Sequence, residues 1–149
     1  MKRNPWLIAG GVLSALAALL HLTVIIGGPA WYRFFGAGEG MARAAERGSA
    51  TPALITLVIA CTLALWAAYA FSGAGLIRRL PLLRTGLVVI AAIYLLRGLL
   101  LFPSLLLKPQ LVDTFVIWSS VVVLVYGAAY AIGTWKAWPK LSVARSTTG

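Results

Sequence analysis

Arg97 is the first residue of interest, because it is the only charge in the apolar run from about Thr85 to Phe102. A charge near the centre of a bilayer costs roughly 2.5–3.5 kcal/mol on insertion scales, so such a side chain is usually turned inward, paired or placed in a wet cavity. Arg97 is therefore expected to bind a specific anion. The alternative is that it lies close enough to the interface for its guanidinium to reach water by snorkelling.

His21 belongs to a stripe of small and polar residues in the first apolar run. Gly10, Ser14, Ala17 and His21 recur at spacings of four, three and four, which places them on one face of a helix. Small residues let helices approach closely, so we expect this face to point into a helix bundle. His21 would then exchange a proton or donate a hydrogen bond near the depth of Arg97. The alternative is a histidine hydrogen-bonded between helices as part of the packing.

The three carboxylates, Glu39, Glu46 and Asp113, all lie outside the long apolar runs. Their placement argues against a small proton-coupled exporter built around a membrane-embedded glutamate. A single aspartate also excludes a membrane protease that works through an aspartate pair. Asp113 either contributes to a site or begins a helix, where the macrodipole favours an acid.

These residues predict a cationic, aromatic-rimmed pocket in the outer half of the bundle. The candidate ligand-binding residues are Arg97, His21, Tyr94, Glu39, Arg33, Asp113 and Trp118. Such a pocket suits an anionic or amphipathic ligand, for example a lipid head group, a quinone or a small organic acid. Arg97 would bind the anionic part, and Glu39 or Asp113 would offset part of the positive charge. Tyr126 and Tyr130 form a deeper pair that we expect to serve packing.

Common catalytic and cofactor motifs are missing from the chain. There is no phosphate-binding P-loop, no HExxH, no CxxC pair and no GxSxG. One cysteine, Cys61, forms neither an internal disulfide nor a thiolate metal cage, and one histidine does not supply a bis-histidine haem within the chain. We therefore expect neither a metal nor a cofactor.

The elements that must position these residues are four apolar runs, each about as long as the roughly 20 residues that cross a bilayer. Hydrophobic residues make up 61% of the 149-residue chain, which is typical of a protein whose surface faces lipid. The predicted helices cover residues 5–26, 51–71, 85–104 and 114–135. The sequence thus predicts an all-α integral membrane protein, a four-transmembrane-helix bundle over residues 1–140, with a short polar tail over 141–149.

The first loop, from Gly27 to Ala50, is the longest connection. Its aromatic first part is expected to lie in the outer interface of the bilayer. Its alanine-rich second part, from Glu39 to Arg47, places Glu39 four residues before Arg43, a spacing that favours a short helix.

The placement of the 13 basic residues predicts the orientation of the chain. On one side lie Lys2, Arg3, Arg78, Arg79, Arg84, Lys136, Lys140 and Arg145, and on the other Arg33, Arg43, Arg47 and Lys108. Because cytoplasmic loops carry the excess of Lys and Arg, both termini are expected in the cytoplasm and the protein in the cytoplasmic (inner) membrane. The cations lie in short connections rather than on one water-facing patch, so the bilayer and not nucleic acid is the expected partner.

Three classes of function stay open at this stage. The first is binding or transport of the anionic or amphipathic ligand, as a homo-oligomer because four helices are few for a complete transport path. The second is an accessory or structural subunit of a larger membrane complex, with Arg97 paired to a partner's carboxylate. The third is an enzyme acting on a lipid-soluble substrate, with His21 as the acid–base group. The enzyme is the weakest of these, since no nucleophile or metal set accompanies His21.

Overall fold

The computed structural model describes residues 3–142 and is entirely helical over that range. Its helices are α1 (Pro5–Phe34), α2 (Glu39–Glu46), α3 (Thr51–Gly73), α4 (Leu83–Leu99), α5 (Leu101–Leu107) and α6 (Thr114–Ser142), with a 3₁₀ turn over Pro109–Leu111. Four segments are long and apolar enough to cross a membrane: Pro5–Phe34, Thr51–Gly73, Leu83–Leu107 and Thr114–Leu141. The predicted all-α architecture with four long apolar helices is confirmed.

The helix ends differ from the predicted bounds for local reasons. α1 continues beyond residue 26, but Gly28 breaks it with φ 65° and ψ −149° before Pro29 begins a further turn of helix. The single helix predicted over 85–104 is divided at Leu100. Pro103 explains that division, because its ring clashes with the carbonyl of Leu99 and it has no N–H to donate there. α6 runs on to Ser142, so the start of the predicted tail at 141 is still helical.

Glycines allow the helices to approach closely along α6. α1 packs mainly along α3 and α4 mainly along α6, and contacts between α1 and α6 and between α3 and α4 join the two pairs. A Cβ atom on Gly133 would lie 3.0 Å from the backbone nitrogen of Leu7, and one on Gly98 would lie 3.1 Å from the carbonyl oxygen of Ser120. Close packing of this kind supplies van der Waals contact where lipid offers no hydrophobic driving force.

A chain of hydroxyl groups crosses the centre of the bundle. Ser14 Oγ lies 2.9 Å from both the Tyr94 and the Tyr130 hydroxyl, and the Tyr130 hydroxyl donates to the carbonyl of Trp66 at 2.9 Å. Each hydroxyl has one hydrogen, and a carbonyl only accepts, so one arrangement satisfies all three bonds. Tyr94 donates to Ser14, Ser14 donates to Tyr130, and Tyr130 donates to Trp66. These three hydrogen bonds thereby link α1, α3, α4 and α6.

The hydroxyl chain is enclosed by its own aromatic rings. Ser14 and Tyr130 are fully buried, and Tyr94 is 5% exposed. The ring of Tyr94 meets those of Trp66, Tyr126 and Tyr130 at centroid distances of 4.8, 5.5 and 5.5 Å. Tyr130 therefore serves packing, as predicted, and also carries two of the hydrogen bonds that join the helices.

Several contacts join the start of α1, the connection before α4 and the second half of α6 at one end of the bundle. The side chain of Asn4 caps α1 and donates to the carbonyl of Gly133 on α6 at 2.7 Å. Arg79, in the connection before α4, donates to the carbonyls of Lys140 and Leu141 at the end of α6. Arg84 lies 3.5 Å from the centroid of the Trp138 ring, a cation–π contact. The second loop and the end of α6 thus share one end.

The direction of the hydroxyl chain predicts unequal costs for two substitutions. Ser14→Ala leaves the buried Tyr94 hydroxyl without its acceptor, and we expect it to lower the free energy of unfolding by about 1–3 kcal/mol. Tyr94→Phe removes a donor and leaves Ser14 still bonded to Tyr130, so the expected loss is about 0.6 kcal/mol. Equilibrium unfolding in detergent micelles measures both. A larger loss for Tyr94→Phe than for Ser14→Ala would contradict the hydrogen-bonded chain described here.

Candidate functional site

Arg97 lies near the end of α4 with its side chain exposed rather than turned into the bundle. Its Nη1 donates to the hydroxyl of Ser120 on α6 at 3.3 Å, and Ser120 is fully buried. This is the one hydrogen bond of the Arg97 side chain among residues 3–142, although a guanidinium has five N–H donors. The neighbouring Ser119 instead donates to the carbonyl of Val116.

α4 and α6 are in close contact beside Arg97. Gly98 has no side chain, so the backbone of α6 at Ser120 approaches α4 closely, and the Ser120 hydroxyl lies within reach of Arg97. Tyr94 lies three residues earlier on α4, but its hydroxyl is engaged in the buried chain with Ser14. Arg97 therefore lies at the surface, whereas Tyr94 lies in the core.

His21 is half-buried and hydrogen-bonded within its own helix. Its Nδ1 lies 2.7 Å from the carbonyl oxygen of Ala17, one turn earlier. Since a carbonyl only accepts, Nδ1 must carry the hydrogen, and the neutral ring then has a free lone pair on Nε2. His21 is thus arranged to accept a hydrogen bond through Nε2.

Four charged residues form an exposed network beside the end of α1. Arg33 bonds Glu39 at 2.9 Å and Glu46 at 2.8 Å, and Arg43 bonds Glu39 at 3.0 Å. Hydrogen bonds from Arg33 and then Arg43 lower the pKa of Glu39 from 4.5 to about 2. The hydrogen bond from Arg33 also lowers the pKa of Glu46. Two cations and two anions therefore neutralise one another here.

A small apolar cluster holds this network in place. Tyr32 is 2% exposed and packs with Val24 of α1 and Ala42 of α2. The hydroxyl of Thr56, on α3, donates to the carbonyl of Pro52 at 2.8 Å and lies 3.5 Å from the hydroxyl of Tyr32. The first loop is thus anchored to both α1 and α3. The turn from α1 into α2 contains Gly36 and Gly38, both with positive φ.

Asp113 and Trp118 have separate roles near the start of α6. Asp113 Oδ1 accepts a hydrogen bond from the backbone nitrogen of Val116 at 2.8 Å, the geometry of a helix N-cap. This contact is the one expected if Asp113 begins a helix, which is one of the two interpretations that the sequence left open. Trp118 is 66% exposed on the surface of α6.

The seven predicted site residues are not brought into one pocket by described contacts. Arg33 and Glu39 bind each other, while Arg97, His21, Tyr94 and Asp113 each have their own partner on another residue. Sequence reasoning missed Ser120 as the partner of Arg97, Glu46 as a member of the charged network and Ser14 as the centre of the hydroxyl chain. Ser14 carried a usable signal, since it lies on the stripe with Gly10, and both are buried against Tyr130.

All three carboxylates of the chain have partners at this end of the molecule. Glu39 and Glu46 bind arginines, and Asp113 caps α6. Among residues 3–142, no group of three or more His, Cys, Asp and Glu side chains is placed to hold a metal ion. Arg97 therefore has no carboxylate partner among residues 3–142.

Comparison with family models, with curated proteins and with solved structures gives no match.

The charged network predicts a specific titration. Glu39 is ionised down to a pH near 2, so the contribution of its ion pairs to stability is fully present above about pH 4.5 and is lost as the pH falls through about 2. Carbon NMR of the glutamate carboxyl groups in micelles measures the midpoint. Arg33→Gln should raise the midpoint of Glu39 towards 4.5, and Arg47→Gln, in the same loop, should leave it unchanged. A wild-type midpoint near 4.5 would exclude the network.

Proposed function

We propose that this is an integral membrane protein that binds an anionic, amphipathic molecule through Arg97 in the outer half of the bilayer. The ligand class is one with a phosphate or carboxylate group at the depth of Arg97 and an apolar part in the surrounding lipid. A bilayer lipid with an anionic head group is the simplest member of that class.

The observation that supports the proposal is the pairing of charges in the chain. Arg97 has one hydrogen bond, to the hydroxyl of Ser120, while every carboxylate is engaged elsewhere. A guanidinium in an apolar segment is costly without a counter-charge, and its planar fork matches phosphate and carboxylate oxygens. An external anion would remove that cost. Ser120 would hold one side of the guanidinium so that the other N–H groups face the ligand.

Binding is favoured over transport through a single copy. The centre of the bundle is occupied by Ser14, Tyr94 and Tyr130, all with less than a tenth of their surface exposed. Their hydrogens are fully used by the chain that ends on the carbonyl of Trp66. The chain ends on a backbone carbonyl rather than a titratable group, so it favours a structural role over proton conduction.

An accessory subunit of a larger membrane complex is the second candidate, and the exposure of Arg97 favours it. An exposed guanidinium on an apolar helix is accessible to a carboxylate on a neighbouring transmembrane chain. In that case a second protein would purify with the wild type in mild detergent and would be lost from the Arg97→Gln variant. A wild type that purifies alone from native membranes would count against this candidate.

The proposed orientation places both termini in the cytoplasm and the protein in the cytoplasmic membrane. Within residues 3–142, Arg3, Arg78, Arg79, Arg84, Lys136 and Lys140 lie at one end, and Arg33, Arg43, Arg47 and Lys108 at the other. The excess of basic residues at the first end supports a cytoplasmic position for it.

The role of Arg97 predicts loss of a bound molecule. Wild-type protein transferred into nanodiscs that contain phosphatidylglycerol and phosphatidylcholine should retain a discrete anionic adduct in native mass spectra. Arg97→Gln should reduce its occupancy about tenfold or more, because a hydrogen bond to a charged group contributes about 1.5–3 kcal/mol.

Lys108→Gln is the matched control, since Lys108 is an exposed cation at the same end of the bundle. It should leave the adduct in place. Equal adducts in wild type and Arg97→Gln would overturn the proposed binding role. A retained adduct that is not a phospholipid would keep the binding role and identify a different anion as the ligand.

The orientation predicts which side a reagent reaches. In a Cys61→Ala background, Arg47→Cys should react with a membrane-impermeant maleimide on intact cells stripped of their outer layers. Arg78→Cys should react only after the membrane is opened, because its loop lies in the cytoplasm. The reverse pattern would invert the topology.

A further inference from the structure

A long apolar groove runs along the surface where α1 meets α3. It has a volume of about 530 Å³, and its walls are mainly small side chains, among them Ala15, Ala18, Ala60 and Ala64. A second groove of about 470 Å³ shares Leu22 and Leu57 with it and continues towards the outer loop. The first groove is within the volume range of ligand sites, roughly 300–1,000 Å³.

The shape of the first groove selects the kind of occupant. On α3 it extends from Leu57 to Phe71, which at 1.5 Å per residue is about 21 Å. A groove of this length with apolar, mostly small lining side chains suits an extended hydrocarbon chain. Its length exceeds one leaflet of a bilayer core, roughly 15 Å.

A cation lies at the inner end of the groove. Ile77 lines that end, and the next residue, Arg78, is exposed. The carbonyl of Arg78 accepts a hydrogen bond from Ser72, which fixes the backbone, while its side chain makes no hydrogen bond among residues 3–142. A positive charge beside the mouth of an apolar groove at the membrane surface complements a molecule with an anionic head and an apolar tail.

We propose that this groove binds one acyl chain of an anionic phospholipid from the inner leaflet, with the head group at Arg78. The head-group end of this site, at Arg78, is at the opposite end of the bundle from Arg97 on α4, and its assignment to the inner leaflet rests on the proposed orientation. It therefore stands independently of the function proposed for Arg97. The bound lipid would fill the groove between the two helices and join α1, α3 and the loop that carries Arg78.

Electron spin resonance with chain-labelled lipids tests this site in the Arg97→Gln background, which removes the other proposed anion site. The probes are spin-labelled phosphatidylglycerol and phosphatidylcholine in phosphatidylcholine vesicles that contain the protein. The labelled phosphatidylglycerol should show a motionally restricted component with about a fivefold preference over phosphatidylcholine, the effect of one basic side chain at the surface.

Two variants and two matched controls decide the outcome. Arg78→Gln should abolish the preference, and Ala64→Leu should reduce the restricted component by filling the groove. Lys136→Gln removes an inner cation that lies over Trp6, and Ala9→Leu adds the same bulk on an exposed part of α1 outside the groove. Both controls should behave like the parent protein. Equal restriction of the two lipids, or a preference that survives Arg78→Gln and Ala64→Leu, would overturn the assignment.

Discussion

This protein has few carboxylates, and that shortage limits how its basic residues can be neutralised. The chain has 13 basic residues and three acidic ones, and the three acids are used at one end of the bundle by Arg33, Arg43 and the start of α6. Arg97 is left with a single hydroxyl partner in a segment apolar enough to span a membrane. Because an uncompensated charge is costly in such surroundings, we propose that the counter-anion of Arg97 comes from outside the chain. The anionic head group of a bilayer lipid is the source that this proposal favours.

The rest of the bundle is arranged so that its interior polar groups satisfy one another. Ser14, Tyr94 and Tyr130 use their three hydrogens in one direction and end on a backbone carbonyl, which makes the centre a link among helices rather than a path. Thr134 is the exception among residues 3–142, because its buried hydroxyl has no hydrogen-bond partner there. The first loop, which carries Glu39 and Glu46, is held in place by the buried Tyr32. The charged groups of that loop are thus separate from the hydrogen-bonded hydroxyl groups in the core.

Part of this arrangement could be predicted from the sequence because it depends on composition and local spacing. Four apolar runs predicted four long helices, and the stripe through Gly10 and Ser14 predicted the buried face of α1. The partners of polar side chains could not be predicted, because they depend on how far one helix is shifted along another. A shift of one residue decides between Ser119 and Ser120 as the partner of Arg97, and only the close contact at Gly98 settles it. The same applies to Glu46, which reaches Arg33 across the turn that contains Gly36 and Gly38, both with positive φ.

The most direct test of the external counter-anion is thermodynamic linkage. A ligand that binds the folded state raises its stability, so the free energy of unfolding should depend on the anion content of the bilayer. The measurement is reversible unfolding of wild type and Arg97→Leu in neutral bilayers and in bilayers with increasing phosphatidylglycerol. Wild type should gain more stability from the anionic lipid than Arg97→Leu does, since the two proteins differ only at Arg97. An equal gain in both proteins would contradict it, because Arg97 would then have no anion to bind from the bilayer.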